Sequence, residues 1–149
     1  MPIEKITPIL NVSDIGQSFH WFETLGWNRA FSWNGEGLIG DGDQSAAENE
    51  FGPATFGGVC VDDVNIFLCV DAQGSRGTIM PKEPGDDNTD GVWMTWWISS
   101  KAEVDQLHQT AVDNDFIITM PPRDEPWGVR EFHLRHPDGH MFRVSCGLD

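Results

Sequence analysis

Glu131, His133, Arg143 and Ser145 are the residues of this chain whose types and spacing point most directly to chemistry. Within each pair the two residues are separated by two positions, in a run that alternates polar with apolar, so they leave one face of a pair of β-strands. The intervening Pro137-Asp138-Gly139 is a turn sequence. With these three residues in the loop and Gly139 supplying the positive φ of a bulged hairpin, Leu134 lies opposite Phe142 and Phe132 opposite Val144. One face of the hairpin is then core. The other carries a carboxylate, an imidazole, a permanent cation and a hydroxyl, and a polar lining on a sheet whose back is buried points to a site.

A second strand adds aromatic surface. In Val92–Ile98, the set Met94, Trp96 and Ile98 is assigned to the core, which leaves Trp93, Thr95 and Trp97 facing the polar side. By the same alternation Leu10 and Val12 go to the core while Thr7, Ile9 and Asn11 face away from it; Ile66, Leu68 and Val70 go inward while Phe67 and Cys69 do not. Trp93, Trp97 and Phe67, with Trp127 beside the last hairpin and Trp33 at a rim, offer flat apolar walls of the kind that hold planar heteroaromatic molecules and cations. Packing between subunits is the competing use of the same rings, and a simple charge balance with Glu131 is the competing role for Arg143.

His133, His136 and His140 are close enough in sequence to suggest a metal. His136 and His140 flank the turn, however, and are expected in solvent, whereas His133 points to the polar side; three directions do not make one coordination sphere. His20 and His108 fall on helices. Cys69 has no basic neighbour on its strand to activate it. Cys60 and Cys69 could pair only by centring a turn on Val64-Asn65, so all three cysteines, Cys146 included, are read as reduced thiols, which fits a cytoplasmic location.

The elements that must position these groups follow from pattern. Ile6–Val12 reads as a strand, Ser13 as a helix cap, and Ile15, Phe19, Phe22 and Leu25 as one buried helical face stopped by Gly26. Trp27–Trp33 is a strand, and Gly35 to Thr55 a long loop with one short strand at Leu38-Ile39. Phe56–Val61 and Val64–Val70 form a hairpin, and Ala72 to Gly91 a Gly-, Pro- and Asp-rich linker. After the strand Val92–Ile98, Ser99 or Ser100 caps a helix with Val104, Leu107 and Ala111 on its inner face. A short strand at Phe116–Thr119, a loop from Met120 to Trp127 and the closing hairpin complete a repeat of the first order. Such modules are too small to bury a core alone.

A net charge of −15 with only nine Lys and Arg argues against nucleic acid and anionic membranes as partners, and would gather cations. No apolar run reaches membrane-spanning length, and Met1-Pro2-Ile3-Glu4-Lys5 leads directly into a strand, so no secretory leader is expected.

Trp127-Gly128-Val129-Arg130-Glu131-Phe132 followed by Pro137-Asp138-Gly139 resembles the end of the glyoxalase/bleomycin-resistance/dioxygenase (vicinal-oxygen-chelate) superfamily. Ile9-Leu10-Asn11-Val12-Ser13-Asp14, with a helix ending Phe22-Glu23-Thr24-Leu25-Gly26-Trp27, is similar to its beginning. The resemblance implies an α+β fold in a single domain of residues 1–149: two βαβββ modules, about 1–71 and 91–149, form a curled, cup-shaped mixed sheet with helices on the outer face, completed in a homodimer. Metal-dependent relatives carry a His or Glu near the start of the first strand and in the last strand of each module. Those positions fall here on Thr7, Phe67, Trp93 and Arg143, none of which suits a divalent metal.

No metal, cofactor or catalytic residue is therefore expected. In site character the chain is closest to the bleomycin-resistance branch, which sequesters a drug. The expected ligand is planar, cationic or both, such as a cationic heteroaromatic antibiotic, held in the cup by Trp93, Trp97, Phe67, Trp127, Arg143, Glu131, His133, Asn11 and Thr7. The alternative is a metal-dependent lyase or isomerase of the glyoxalase/dioxygenase kind with non-standard ligands, using Glu131 and His133.

Overall fold

The structure is a computed structural model that describes residues 2–34, 38–40 (backbone only), 54–77 and 87–148. The chain divides into two compact units, Met1–Ser75 and Arg76–Asp149. In the first, β1 (Ile9–Val12) leads into α1 (Ile15–Thr24), followed by β2 (Asn28–Trp33), β3 (Leu38–Gly40), β4 (Phe56–Val61) and β5 (Val64–Val70). The sheet order is β1-β5-β4-β2-β3, with β1 parallel to β5 and the other pairs antiparallel. The second unit repeats the plan with β6 (Trp93–Trp97), α2 (Lys101–Asp113), β7 (Ile117–Glu125), β8 (Val129–Arg135) and β9 (Met141–Gly147), in the order β6-β9-β8-β7. Each unit thus contains the βαβββ arrangement of an α+β fold.

Local chemistry sets most boundaries. Asp14, one residue beyond the expected Ser13, caps α1 by accepting a hydrogen bond from the Gln17 amide at 2.8 Å. Ile15, Phe19, Phe22 and Leu25 are buried as their helical spacing requires, and Gly26 ends the helix at φ +96°. Ser100 caps α2 by accepting from the Glu103 amide. Val104 and Ala111 are buried, and Leu107 is half-buried. Asp62-Asp63 forms the two-residue β4–β5 turn, which sets Cys60 opposite Asn65, and all three cysteines are free.

Two further expectations are corrected. The stretch from Met120 to Glu125 is strand and not loop: β7 continues through Pro121-Pro122 with two register shifts. Proline is tolerated there because β7 is the edge strand and need not donate to a further neighbour. His136 and His140 are fully buried, not solvated. Each Nδ1 accepts a backbone hydrogen bond, His136 from the Asp138 amide at 2.9 Å and His140 from the Val92 amide at 3.0 Å. Gly139, at φ +87°, packs so closely on Gly77 that a side chain there would meet its backbone at 2.4 Å.

Burial, and then the neighbouring His140, hold the His136 imidazole down to about 3, from an ordinary 6.5. The unfolded chain therefore takes up a proton that the folded one refuses, and stability falls as pH drops from about 6.5 towards 3. The slope is about 1.4 kcal/mol per pH unit, so roughly 2 kcal/mol is lost between pH 7 and 5. Urea unfolding at the two pH values should show this loss in the parent and much less of it in His136→Asn, which keeps a polar acceptor without the titration. Equal losses would contradict it.

Candidate functional site

The hairpin of β8 and β9 pairs in the expected register, with Phe132 opposite Val144, Leu134 opposite Phe142, Glu131 opposite Ser145 and His133 opposite Arg143. Phe132, Leu134, Phe142 and Val144 are completely buried on one face. On the other face, Glu131 accepts from Arg143 through two bonds, Nε to Oε2 at 2.8 Å and Nη2 to Oε1 at 2.9 Å, and from the Ser145 hydroxyl at 2.9 Å. Burial by itself pushes the Glu131 carboxyl up. The hydrogen bonds from Arg143 and Ser145, with the charge of Arg143 and the nearby His133, outweigh that and hold it below the usual carboxylate range. A carboxylate so occupied is a fixed anion rather than a free base.

His133 has a different partner. Its Nδ1 lies 2.9 Å from Oδ2 of Asp87, from the segment that leads to β6, and its ring meets Trp93 edge-on at a centroid distance of 5.3 Å. These groups border an open cavity of about 500 Å³ lined by Trp93, Met94, Thr95, Trp127, Glu131, His133 and Arg143. Trp127 comes from the turn before β8, which Gly128 closes at φ +91°. Trp93 and Trp127 are 39% and 62% exposed, which is high for indoles and leaves their faces available to a ligand.

Five of the nine residues expected at the site, Trp93, Trp127, Glu131, His133 and Arg143, thus line one cavity in the second unit. Trp97 shares the strand of Trp93 but lies two residues along, opposite Ser145; it is 70% exposed and outside this lining. Thr7, Asn11 and Phe67 belong to the first unit. There Phe67 packs with Phe31 and Phe56 at 5.3 and 5.6 Å, and the Asn11 amide donates to the Gly74 carbonyl. Met94, assigned to the core, is half-buried and borders the cavity, because β6 is an edge strand. Asp87 belongs to an acidic run expected near the rim of the cup, but nothing in the sequence pairs it with His133, 46 positions away.

The donor set does not suit a divalent metal. Arg143 is a cation committed to Glu131, and Trp93 has no lone pair to give. Among the described residues no group of three His, Cys, Asp or Glu is placed to hold one. Also among the described residues, no helix is long and apolar enough to cross a membrane.

Two βαβββ units, the second with a cavity against its last hairpin, define an α+β protein of the vicinal-oxygen-chelate type. The chain belongs to the Glyoxalase/Bleomycin resistance protein/Dioxygenase superfamily, whose model matches residues 3–144. Similar solved structures include TioX from Micromonospora sp. ML1, with 14% identity, a TM-score of 0.66 and coverage of 98% of this chain and 100% of that one. The fosfomycin resistance protein FosX from Listeria monocytogenes has 13% identity and a TM-score of 0.62, covering 99% and 95%. Lactoylglutathione lyase from Agrobacterium tumefaciens has 15% identity and a TM-score of 0.63, covering 99% and 96%. At these identities the likeness is one of fold, and no curated protein gives a significant sequence match.

Proposed function

We propose that this protein binds and sequesters a planar, positively charged small molecule, holding it on Trp93 and Trp127 without converting it. One observation carries the proposal: two exposed indoles border a cavity whose buried carboxylate is already paired with Arg143 and hydrogen-bonded by Ser145. Such walls supply stacking and cation–π attraction, while the net charge of −15 draws a cation in from a distance. The guanidinium of Arg143 uses two of its five N–H donors on Glu131, so others are available to acceptor atoms at a ligand's edge. The drug-sequestering branch of the superfamily is the analogy in function; a homodimer is part of the same proposal.

The proposal is tested with 9-aminoacridine, which is flat and cationic. In a 1H–15N spectrum the indole N–H signals of Trp93 and Trp127 should shift on titration, while those of the buried Trp21, Trp27 and Trp96 stay in place. Shifts confined to other indoles would place the ligand elsewhere. The pairing of His133 with Asp87 favours a second reading, a lyase or isomerase in which Glu131 and His133 serve as acid/base or metal groups. A stoichiometric transition metal retained through purification would favour that reading.

A further inference from the structure

Resting on the proposed binding role, we infer that His133 selects the ligand: its Nε2 is a hydrogen-bond acceptor built to receive an N–H or O–H on the edge of a planar aromatic ring. The inference starts from Asp87. A carboxylate only accepts, so the 2.9 Å contact between Asp87 Oδ2 and His133 Nδ1 places a proton on Nδ1. In the neutral ring that leaves the lone pair on Nε2, and the tautomer is fixed by the partner behind it.

Nε2 is buried and makes no hydrogen bond among the described residues, although His133 lines the cavity. A buried acceptor without a donor is costly, and water does not relieve the cost at an atom it does not reach. The ring's aromatic neighbour is Trp93, which meets the imidazole edge-on and is 39% exposed. A flat ligand entering against Trp93, with a turn of that indole, brings a donor at its own edge to Nε2.

Glu131 is a poor candidate for this part: it is 1% exposed and already accepts three hydrogen bonds, two from Arg143 and one from Ser145. The two sides of the polar floor therefore differ in what they recognise. Arg143 offers donors to an acceptor on the ligand, and His133 offers an acceptor to a donor. The ligand class is a planar aromatic carrying at least one ring-edge N–H or O–H.

Indole and benzofuran test this, because they share size and shape while indole has an N–H where benzofuran has an oxygen. By calorimetry indole should bind the parent on the order of tenfold more tightly, and the two should bind His133→Phe equally. Benzofuran binding the parent as well as indole does would overturn the acceptor role and leave the stacking role standing. No heat and no Trp93 or Trp127 N–H shift with either compound, while 9-aminoacridine still binds, would overturn the acceptor role alone; no binding of any of the three would overturn both. Long-range 1H–15N correlation of labelled histidine gives a ligand-free reading that does not depend on a variant folding. In its neutral ring His133 should carry the proton on Nδ1 with Nε2 bare, and Asp87→Ala, which removes the acceptor, should let the other tautomer appear; a parent His133 whose neutral ring carries its proton on Nε2 would overturn the inference.

Discussion

Replacing Arg143 by Met should destabilise the protein by about 3 kcal/mol at neutral pH, because it leaves the Glu131 carboxylate buried without its cation. Glu131 is 1% exposed, and after the change only the Ser145 hydroxyl still donates to it. For a chain of this length the loss corresponds to roughly 6–12 °C in Tm. The pH dependence should reverse as well. In the parent the lowered Glu131 pKa contributes stability above its ordinary value of 4.5, lost as pH falls through the folded value. In Arg143→Met the buried, unpaired carboxyl has a raised pKa, so the destabilisation eases as pH falls and the group takes up a proton. Adding Glu131→Gln to Arg143→Met removes the stranded charge and should recover much of the loss. If Arg143→Met unfolds at the same urea concentration as the parent, the ion pair is a surface contact of little consequence.

The legibility of this pair in the sequence has a simple basis. Alternation in β8 and β9 fixes faces, and Gly139 fixes the turn, so the register and the Glu131–Arg143 contact follow from local pattern alone. The same reasoning succeeded for the β4–β5 hairpin and for the buried face of α1. It failed where tertiary packing decides. His136 and His140 look like turn residues, yet amides of their own turn and of the segment before β6 donate to their imidazoles and draw them inside. Pro121-Pro122 looks like a break, yet an edge strand accommodates it. Of the seven residues that line the cavity only Met94 was assigned elsewhere; what the sequence could not give was the pairing of Asp87 with His133, which joins segments 46 positions apart with no period to link them.

Trp93 and Trp97 show the same limit. Both have the parity of the polar side, but only Trp93 has Trp127 across a cavity. Replacing Trp93 and Trp127 together by Ala should therefore remove most of the affinity for a flat cationic ligand. Each lost stacking platform costs about 1–3 kcal/mol, by analogy with bases on aromatic side chains, so the double variant should lose roughly 30-fold or more. Both indoles are already partly in water, so the fold should tolerate the change with little loss of stability. Trp97→Ala should bind as the parent does, since Trp97 lies outside the lining despite its exposure.

The most direct measurement is the calorimetric dissociation constant of 9-aminoacridine for the parent, Trp97→Ala and Trp93→Ala/Trp127→Ala at one salt concentration. Binding by stacking in the second-unit cavity predicts equal constants for the first two and a weakening of roughly 30-fold or more in the third. A double variant that binds as tightly as the parent, or a Trp97→Ala that loses binding while the double variant keeps it, would contradict sequestration on Trp93 and Trp127.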